Sequence, residues 1–260
     1  RIWAGDAMVY RTVGNIDRAL DGLTGSEAIL KALEEYAIES SILKIVGSES
    51  LCFVADEAVQ VFGGNGFSAE YPVDRFYRDA RINRIFEGTN EINRLLVPTM
   101  LLKRAAREEL GFTGAADALR HGATAQVTDD AALIAGMKRC ARGLIDLARQ
   151  RYGDTLAQEQ EVVLALSDIV IDVYVAECAM ARAAQAAGDG ADAPAAADFA
   201  QATMHDAAAR IEQRAATLAG TLASSAADAA ELLAGVRASC ARPLVDRIAI
   251  DRRIADRVLA

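Results

Sequence analysis

Gln60-Val61-Phe62-Gly63-Gly64-Asn65-Gly66-Phe67 is the stretch on which the fold class turns. A glycine cluster of this kind either ends a helix or opens a dinucleotide-binding loop. The dinucleotide loop follows a strand and spaces its glycines as G-x-G-x-x-G. Here the spacing differs, and the residues upstream keep a helical rhythm: Ile38, Ile42 and Ile45 recur at intervals of four and three. The cluster therefore closes a helix, glycine permitting the left-handed turn that ends one. That helix is expected to begin near Ser26, where Ser26-Glu27 offers a cap and an early acid, and to run on to Phe62.

The same reading extends in both directions. Upstream, a first helix covers about Ile2 to Leu23 and stops near Gly22 and Gly25. Downstream, residues 67–73 read as a loop because Pro72 restricts Tyr71 to extended geometry. A short helix is expected from Val73 to Ile85, then a loop around Glu87, then a helix from Thr89 to about Arg107. Gly111-Phe112-Thr113-Gly114 marks the expected domain boundary, giving domains 1–110 and 111–260. Beyond it, Leu133, Met137, Cys140, Leu144 and Leu147 form one bundle-type stripe. Val162, Leu166, Ile169, Val173, Ala176 and Met180 form the next, and both read as core. Residues 187–197 read as a mobile Gly/Ala/Asp linker with one proline. Alanine-rich helices complete the chain, the last preceded by Pro243. No segment has a strand pattern, so the fold class is all-α.

Composition agrees. The 260 residues are 52% hydrophobic but only 5% aromatic, with alanine supplying much of the apolar share. Alanine is the best helix former and a poor strand residue. With 37 acidic against 28 basic residues the net charge is −9, which argues against a nucleic-acid partner. Cys52, Cys140, Cys178 and Cys240 lie far apart without a C-x-x-C pair and read as small buried hydrophobes of a reducing compartment. His121 and His205, the only histidines, read as exposed polar positions, and no metal site is expected. No apolar run approaches a membrane span, and nothing basic and amphipathic favours more than weak peripheral membrane contact. The expected compartment is the cytoplasm.

Chemistry concentrates in Ile85-Phe86-Glu87-Gly88-Thr89-Asn90-Glu91-Ile92-Asn93-Arg94. A purely structural reading covers part of it. Thr89 caps the following helix, Glu91 in its first turn complements the helix dipole, and Gly88 links into the cap. That reading gives no reason for Glu87. A carboxylate between large apolar neighbours tends to hold its proton to higher pH, as suits a base working near neutrality. Arg94 either orients this loop or faces solvent, and Arg78-Asp79 reads as a structural salt bridge between helices.

Four motifs in order carry a resemblance. They are Gln60 to Phe67, then Glu70-Tyr71-Pro72-Val73, then Tyr77-Arg78-Asp79-Ala80-Arg81-Ile82, then Phe86-Glu87-Gly88-Thr89-Asn90. Together they closely resemble the C-terminal helical domain of acyl-CoA dehydrogenases. The likeness is strong over about residues 1–105. It continues more weakly into the C-terminal extension of the larger, very-long-chain-like bacterial members. The resemblance implies a four-helix-bundle-like domain followed by a second helical bundle. Because Arg1 is not a Met and lies inside an apparent helix, the chain is expected to be the C-terminal piece of a longer polypeptide, inactive by itself.

The resemblance also implies a function: FAD-dependent α,β-dehydrogenation of fatty acyl-CoA thioesters in β-oxidation. Glu87 would be the base that removes the α-proton. The Glu87 N–H and a flavin ribityl hydroxyl would receive the thioester oxygen, with Gly88 beside the substrate. Gln60, Gly63 and Gly64 would contact the ADP half of a flavin held by a neighbouring subunit, and Thr89 and Glu91 would approach the flavin from the other side. Electron-transfer flavoprotein would be the acceptor and a homodimer or higher homo-oligomer the assembly. Two alternatives remain at this stage: an acyl-CoA oxidase, and a helical interaction module indifferent to Glu87.

Overall fold

The computed structural model describes residues 1–106, 110–121, 129–188, 190 and 193–259. Among these there are eleven α-helices and no strand. Two compact units form, Arg1–Val97 and Pro98–Ala260, the division falling inside one helix just before Pro98. The Gly111–Gly114 segment lies within the second unit.

In the first unit α1 (Ile2–Leu20), α2 (Ser26–Glu35) and α4 (Val73–Ile82) pack around α3 (Ala37–Phe62). α5 (Asn90–Ala106) begins here. Met8, Ile38, Ile42, Ile45 and Val97 supply its fully or nearly fully buried apolar side chains. The expected boundaries shift for local reasons. α1 stops at Leu20, not Leu23, because Asp21 turns extended at φ −59, ψ 126. Gly25, at φ 98, occupies the cap position, so Ser26 is already inside the helix and is not its cap. The single helix expected from Ser26 to Phe62 is two. The N–H of Tyr36 bonds back to Leu33, tightening the last turn of α2. Ile29, Leu30 and Leu33 stay exposed while Ile38, Ile42 and Ile45 are buried, so the apolar stripe changes direction at the break. α4 ends at Ile82, and Ile85 and Phe86 fold back as turns on the Ile82 carbonyl. Arg107, the expected end of α5, lies outside the described residues.

The second unit contains α6 (Ala115–His121), α7 (Asp130–Tyr152), α8 (Gln160–Gly188), α9 (Ala193–Leu222), α10 (Ala226–Ser239) and α11 (Arg247–Leu259). Helices α7 to α10 close a four-helix ring, α6 lies on α7 and α10, and α11 lies on α9. Asp129 and Ser225 cap α7 and α10 through side-chain oxygens. Both expected stripes face the core, with only Met180 half-buried. The linker expected over 187–197 is far shorter. α8 runs to Gly188 and α9 resumes at Ala193, because Pro194 fits the first turn of a helix, where no N–H is needed.

Close approach is the rule in this unit. A Cβ on Gly235 would lie 1.9 Å from the Leu119 carbonyl oxygen, and one on Gly136 2.0 Å from that of Ser239. Buried aspartates tie the helices further. Asp146, fully buried on α7, accepts from the Ala116 N–H of α6 and from Arg149 and Gln150. Asp198 on α9 accepts from Arg253 and Arg257 of α11, the Arg253 bond first among the contacts holding its carboxyl below the usual range. Asp172 meets Arg210 and Arg214, yet burial outweighs both and pushes its carboxyl up. Cys140, Cys178 and Cys240 are buried and Cys52 half-buried, its thiol on the Ala80 carbonyl. Cys140 faces Cys240, and that contact together with burial pushes its thiol well above the usual range. His205 is half-buried, not exposed as expected, and desolvation lowers its affinity for a proton. No helix among the described residues is long and apolar enough to cross a membrane.

Gly235→Ala is therefore expected to destabilise the protein by about 1–3 kcal/mol or more, since a backbone carbonyl cannot yield as a side chain can. Gly220→Ala, on α9 with open space around it, is expected to stabilise by about 0.4–1 kcal/mol. Urea unfolding of the two variants checks both signs. Asp228 accepts from Arg120 and from the Ser224 N–H, contacts that hold its carboxyl at about 2. A depressed carboxyl contributes stability above its unfolded value, lost as pH falls through the folded one. Asp228→Asn should thus unfold more easily than the parent near neutral pH, the gap closing between about pH 4 and pH 2. An unchanged gap across that range would refute this.

Candidate active site

Glu87 is the only non-glycine residue with a positive φ, 55°, among the described residues, and Gly88 follows at φ 79. Left-handed backbone is uncommon for a residue with a Cβ, and it persists only where surroundings impose it. The imposition is visible. The Asn90 N–H bonds to the Arg84 carbonyl, closing the loop on itself. The Gly88 carbonyl accepts from Lys44 Nζ at 2.7 Å and from Asn93 Nδ2 at 2.8 Å. Thr89 caps α5 as expected, its Oγ1 accepting from the Ile92 N–H and its carbonyl from the Asn93 N–H. Glu91 sits in the first turn, where its own N–H and the Thr89 hydroxyl hold its carboxyl below the usual range.

Beneath the loop lies Asn90, fully buried. Its Oδ1 accepts from Lys44 Nζ at 2.8 Å, and its Nδ2 donates to Ser48 Oγ at 2.9 Å and to Glu49 Oε1 at 3.2 Å. Arg94 grips Glu49 with two bonds, 2.7 and 3.0 Å. Burial raises the Glu49 carboxyl, but the Arg94 and Asn90 bonds outweigh it, and the net position is below the usual range. Arg94 thus takes the orienting role, through Glu49, and does not face solvent. Arg78 and Asp79 are exposed neighbours on α4 and form no ion pair with each other among the described residues.

Glu87 itself is exposed, and Ile85 and Phe86 are about half exposed rather than folded over it. The apolar shielding anticipated from its neighbours in sequence is not supplied by these side chains. The Glu87 N–H makes no hydrogen bond among the described residues.

Gln60, Gly63 and Gly64 lie exposed at the other end of α3, in a separate group that no hydrogen bond among the described residues joins to the Glu87 loop. The three glycines of this turn exist for different reasons. Gly63 takes φ 58, ψ −139, a backbone that favours glycine, and Gly66 would drive a Cβ to 2.4 Å from the Val59 carbonyl. Gly64 has neither excuse: its φ is ordinary and the space around it is open. The glycine cluster that ends α3 continues as a 3-10 turn, Gly63–Phe67, which takes in only the first residue of the loop expected over 67–73. Beside it a groove of about 980 Å³ runs between α3 and α4, lined by Asp56, Phe67, Tyr77, Arg78 and Ile82 among others. Val61, Phe62, Phe67, Tyr71, Phe76 and Tyr77 leave an unusually apolar exposed surface around this turn.

No local sequence signal marks Lys44, Glu49, Asn90 or Asn93 as functional. Lys44 and Ser48 stand one helical turn apart on α3, a spacing that signals a shared face but not what it meets.

Comparison with known proteins identifies the family. Residues 1–102 match a family model described as acyl-CoA dehydrogenase, C-terminal domain, and residues 137–237 match a second model of the same description. A probable acyl-CoA dehydrogenase of Bacillus subtilis is 40% identical over 207 residues, covering 74% of this chain and 35% of that protein. The human mitochondrial very long-chain specific acyl-CoA dehydrogenase is 30% identical over 214 residues, covering 71% of this chain and 30% of its own length. The crystal structure of an acyl-CoA dehydrogenase complexed with FAD from Bacillus anthracis superposes with a TM-score of 0.92 at 33% identity. The match covers 99% of this chain and 46% of that one. The chain therefore spans less than half the length of these relatives, and across its own length it belongs to the acyl-CoA dehydrogenase family.

Proposed function

We propose that this chain is the C-terminal part of an FAD-dependent dehydrogenase that introduces an α,β double bond into fatty acyl-CoA thioesters, with Glu87 as the base. The observation that carries the reading is the backbone of Glu87: a carboxylate on a left-handed residue, held there by bonds from two helices, on an exposed face. A surface carboxylate with no task has no need of such a frame. Family membership supplies the reaction class.

In this reading Glu87 takes the α-proton of the thioester onto a carboxylate oxygen. Its N–H, without a partner among the described residues, is a donor for the thioester oxygen as negative charge develops there. Gly88, with no side chain, leaves room for the thioester beside the base. A bound flavin supplies the acceptor for the hydride that leaves the β-carbon. Apolar shielding of the base would come from the acyl chain and from parts of the protein packed over the loop.

The residues present fit a flavin. Gly64 is required neither by its backbone nor by its neighbours, as expected where a group from outside the chain comes close. Gly63 precedes it on the same exposed turn, Gln60 lies exposed in the last turn of α3 just before, and Thr89 and Glu91 edge the Glu87 loop. We assign these five to the flavin, the first three across a subunit interface for which the exposed apolar surface around them is suited. A homo-oligomer, electron-transfer flavoprotein as acceptor and a role in β-oxidation complete the proposal. Domain limits of 1–110 and 111–260 belong to it as well.

Two tests apply to the flavin-loaded polypeptide that contains this chain. Glu87→Gln is nearly isosteric but cannot accept a proton. It should retain flavin while the rate of flavin reduction by acyl-CoA falls by about 10²–10⁴-fold or more. Near-normal reduction would remove Glu87 from the role of base. Gly64→Val puts a branched side chain where close approach is proposed, and should lower flavin content and oligomer size together. If both stayed at parent values, the turn would have no part in the cofactor site.

A further inference from the structure

Among the described residues, ties of three kinds hold the Gly88 end of the loop, and they differ in what they connect. The Asn90–Arg84 bond closes the loop on itself. Asn93 lies on α5, the helix into which the loop runs, and travels with it. Lys44 is the one donor to the Gly88 carbonyl from α3, and α3 is the element around which the unit packs. Its ammonium also holds Asn90 Oδ1, so one group spans the left-handed segment and the buried amide below it. Lys44 lies 43 residues before Glu87 and touches neither its side chain nor any reacting atom in the reading above.

Resting on the assignment of Glu87 as base, we propose that Lys44 is a positioning residue that registers the Glu87–Gly88 backbone against α3 and so sets where the carboxylate meets the α-carbon. Without it the loop keeps its internal bond and its tie to α5, which Ser48 and Glu49 still hold on α3 through Asn90 and Arg94, but the Gly88 carbonyl loses its direct bond to that helix. The Glu87–Gly88 segment can then relax toward ordinary backbone angles. A reacting group displaced by about 1 Å can lose on the order of 10²-fold in rate while ground-state binding is nearly unaffected. A role in folding alone would instead lower stability and leave proton transfer per folded molecule unchanged.

Proton transfer can be read apart from hydride transfer. An acyl-CoA with sulfur in place of its β-carbon retains acidic α-protons but has no β-hydride to give. Its α-hydrogen exchange in D2O, followed by NMR, therefore reports the base alone. In the flavin-loaded polypeptide, Lys44→Met should slow this exchange by about 10–10²-fold, with analogue affinity within about 2-fold and flavin content unchanged. Glu87→Gln should abolish it. Exchange at the parent rate in Lys44→Met, or loss of stability with parent exchange per bound flavin, would overturn the proposal. Exchange that survives in Glu87→Gln would instead overturn the base assignment itself. Lys44→Arg keeps the charge but its longer planar head moves the donors off the Gly88 carbonyl. It reads the same quantity should Lys44→Met not fold: slowed exchange supports the proposal, parent exchange overturns it.

Discussion

A buried primary amide must find partners for both its ends, and at Asn90 that requirement organises the first unit. Leaving a buried amide unpaired costs about 1–3 kcal/mol per group. The side chain is fully enclosed, and its oxygen and nitrogen are met by Lys44, Ser48 and Glu49, all from one face of α3. Glu49, now partly buried, needs its own counter-charge and receives it from Arg94 of α5. The start of α5 is thereby fixed in height and rotation against α3. The loop that enters α5 inherits that placement, left-handed backbone included.

The second unit reaches order by a different route. Its helices approach until glycine is the only residue that fits, as at Gly136 and Gly235. Alanines such as Ala176, Ala200, Ala207 and Ala215 are buried on α8 and α9. Small side chains make for close contact but little specificity of angle. Aspartates gripped by arginines from neighbouring helices, Asp198 by Arg253 and Arg257 and Asp172 by Arg210 and Arg214, supply direction where the apolar surface is featureless. Buried pairs of this kind add little net stability, but breaking one partner leaves a charge stranded.

Periodicity made the helices legible, and the two core stripes read from it are buried with one half-buried exception, Met180. Breaks were harder. Tyr36 carries no glycine or proline signal, and the split there shows only in which isoleucines and leucines end up buried. The 187–197 segment reads as a linker because Ala, Gly and Asp describe a loop and a helix end equally well, and Pro194, a breaker inside a helix, fits the first turn of one. In the loop, Thr89 and Glu91 could be placed because caps are local. Lys44 and Glu49 could not, because their partners lie more than 40 residues on. The apolar neighbours of Glu87 suggested shielding that these side chains do not provide, since adjacency in sequence does not say which way a side chain points.

Among the described residues, the hydrogen bonds that hold the Glu87 loop to Lys44, Glu49, Asn93 and Arg94 all lie within the stretch from Lys44 to Arg94. The bonds that draw this loop are therefore a local inheritance, carried by roughly one fifth of the chain. Insertions, fusions and exchanged domains elsewhere in a polypeptide can alter what is packed over the loop without touching how it is drawn. Such a segment can be passed between larger architectures intact, and variation among them is free to act on pocket depth and partner choice alone.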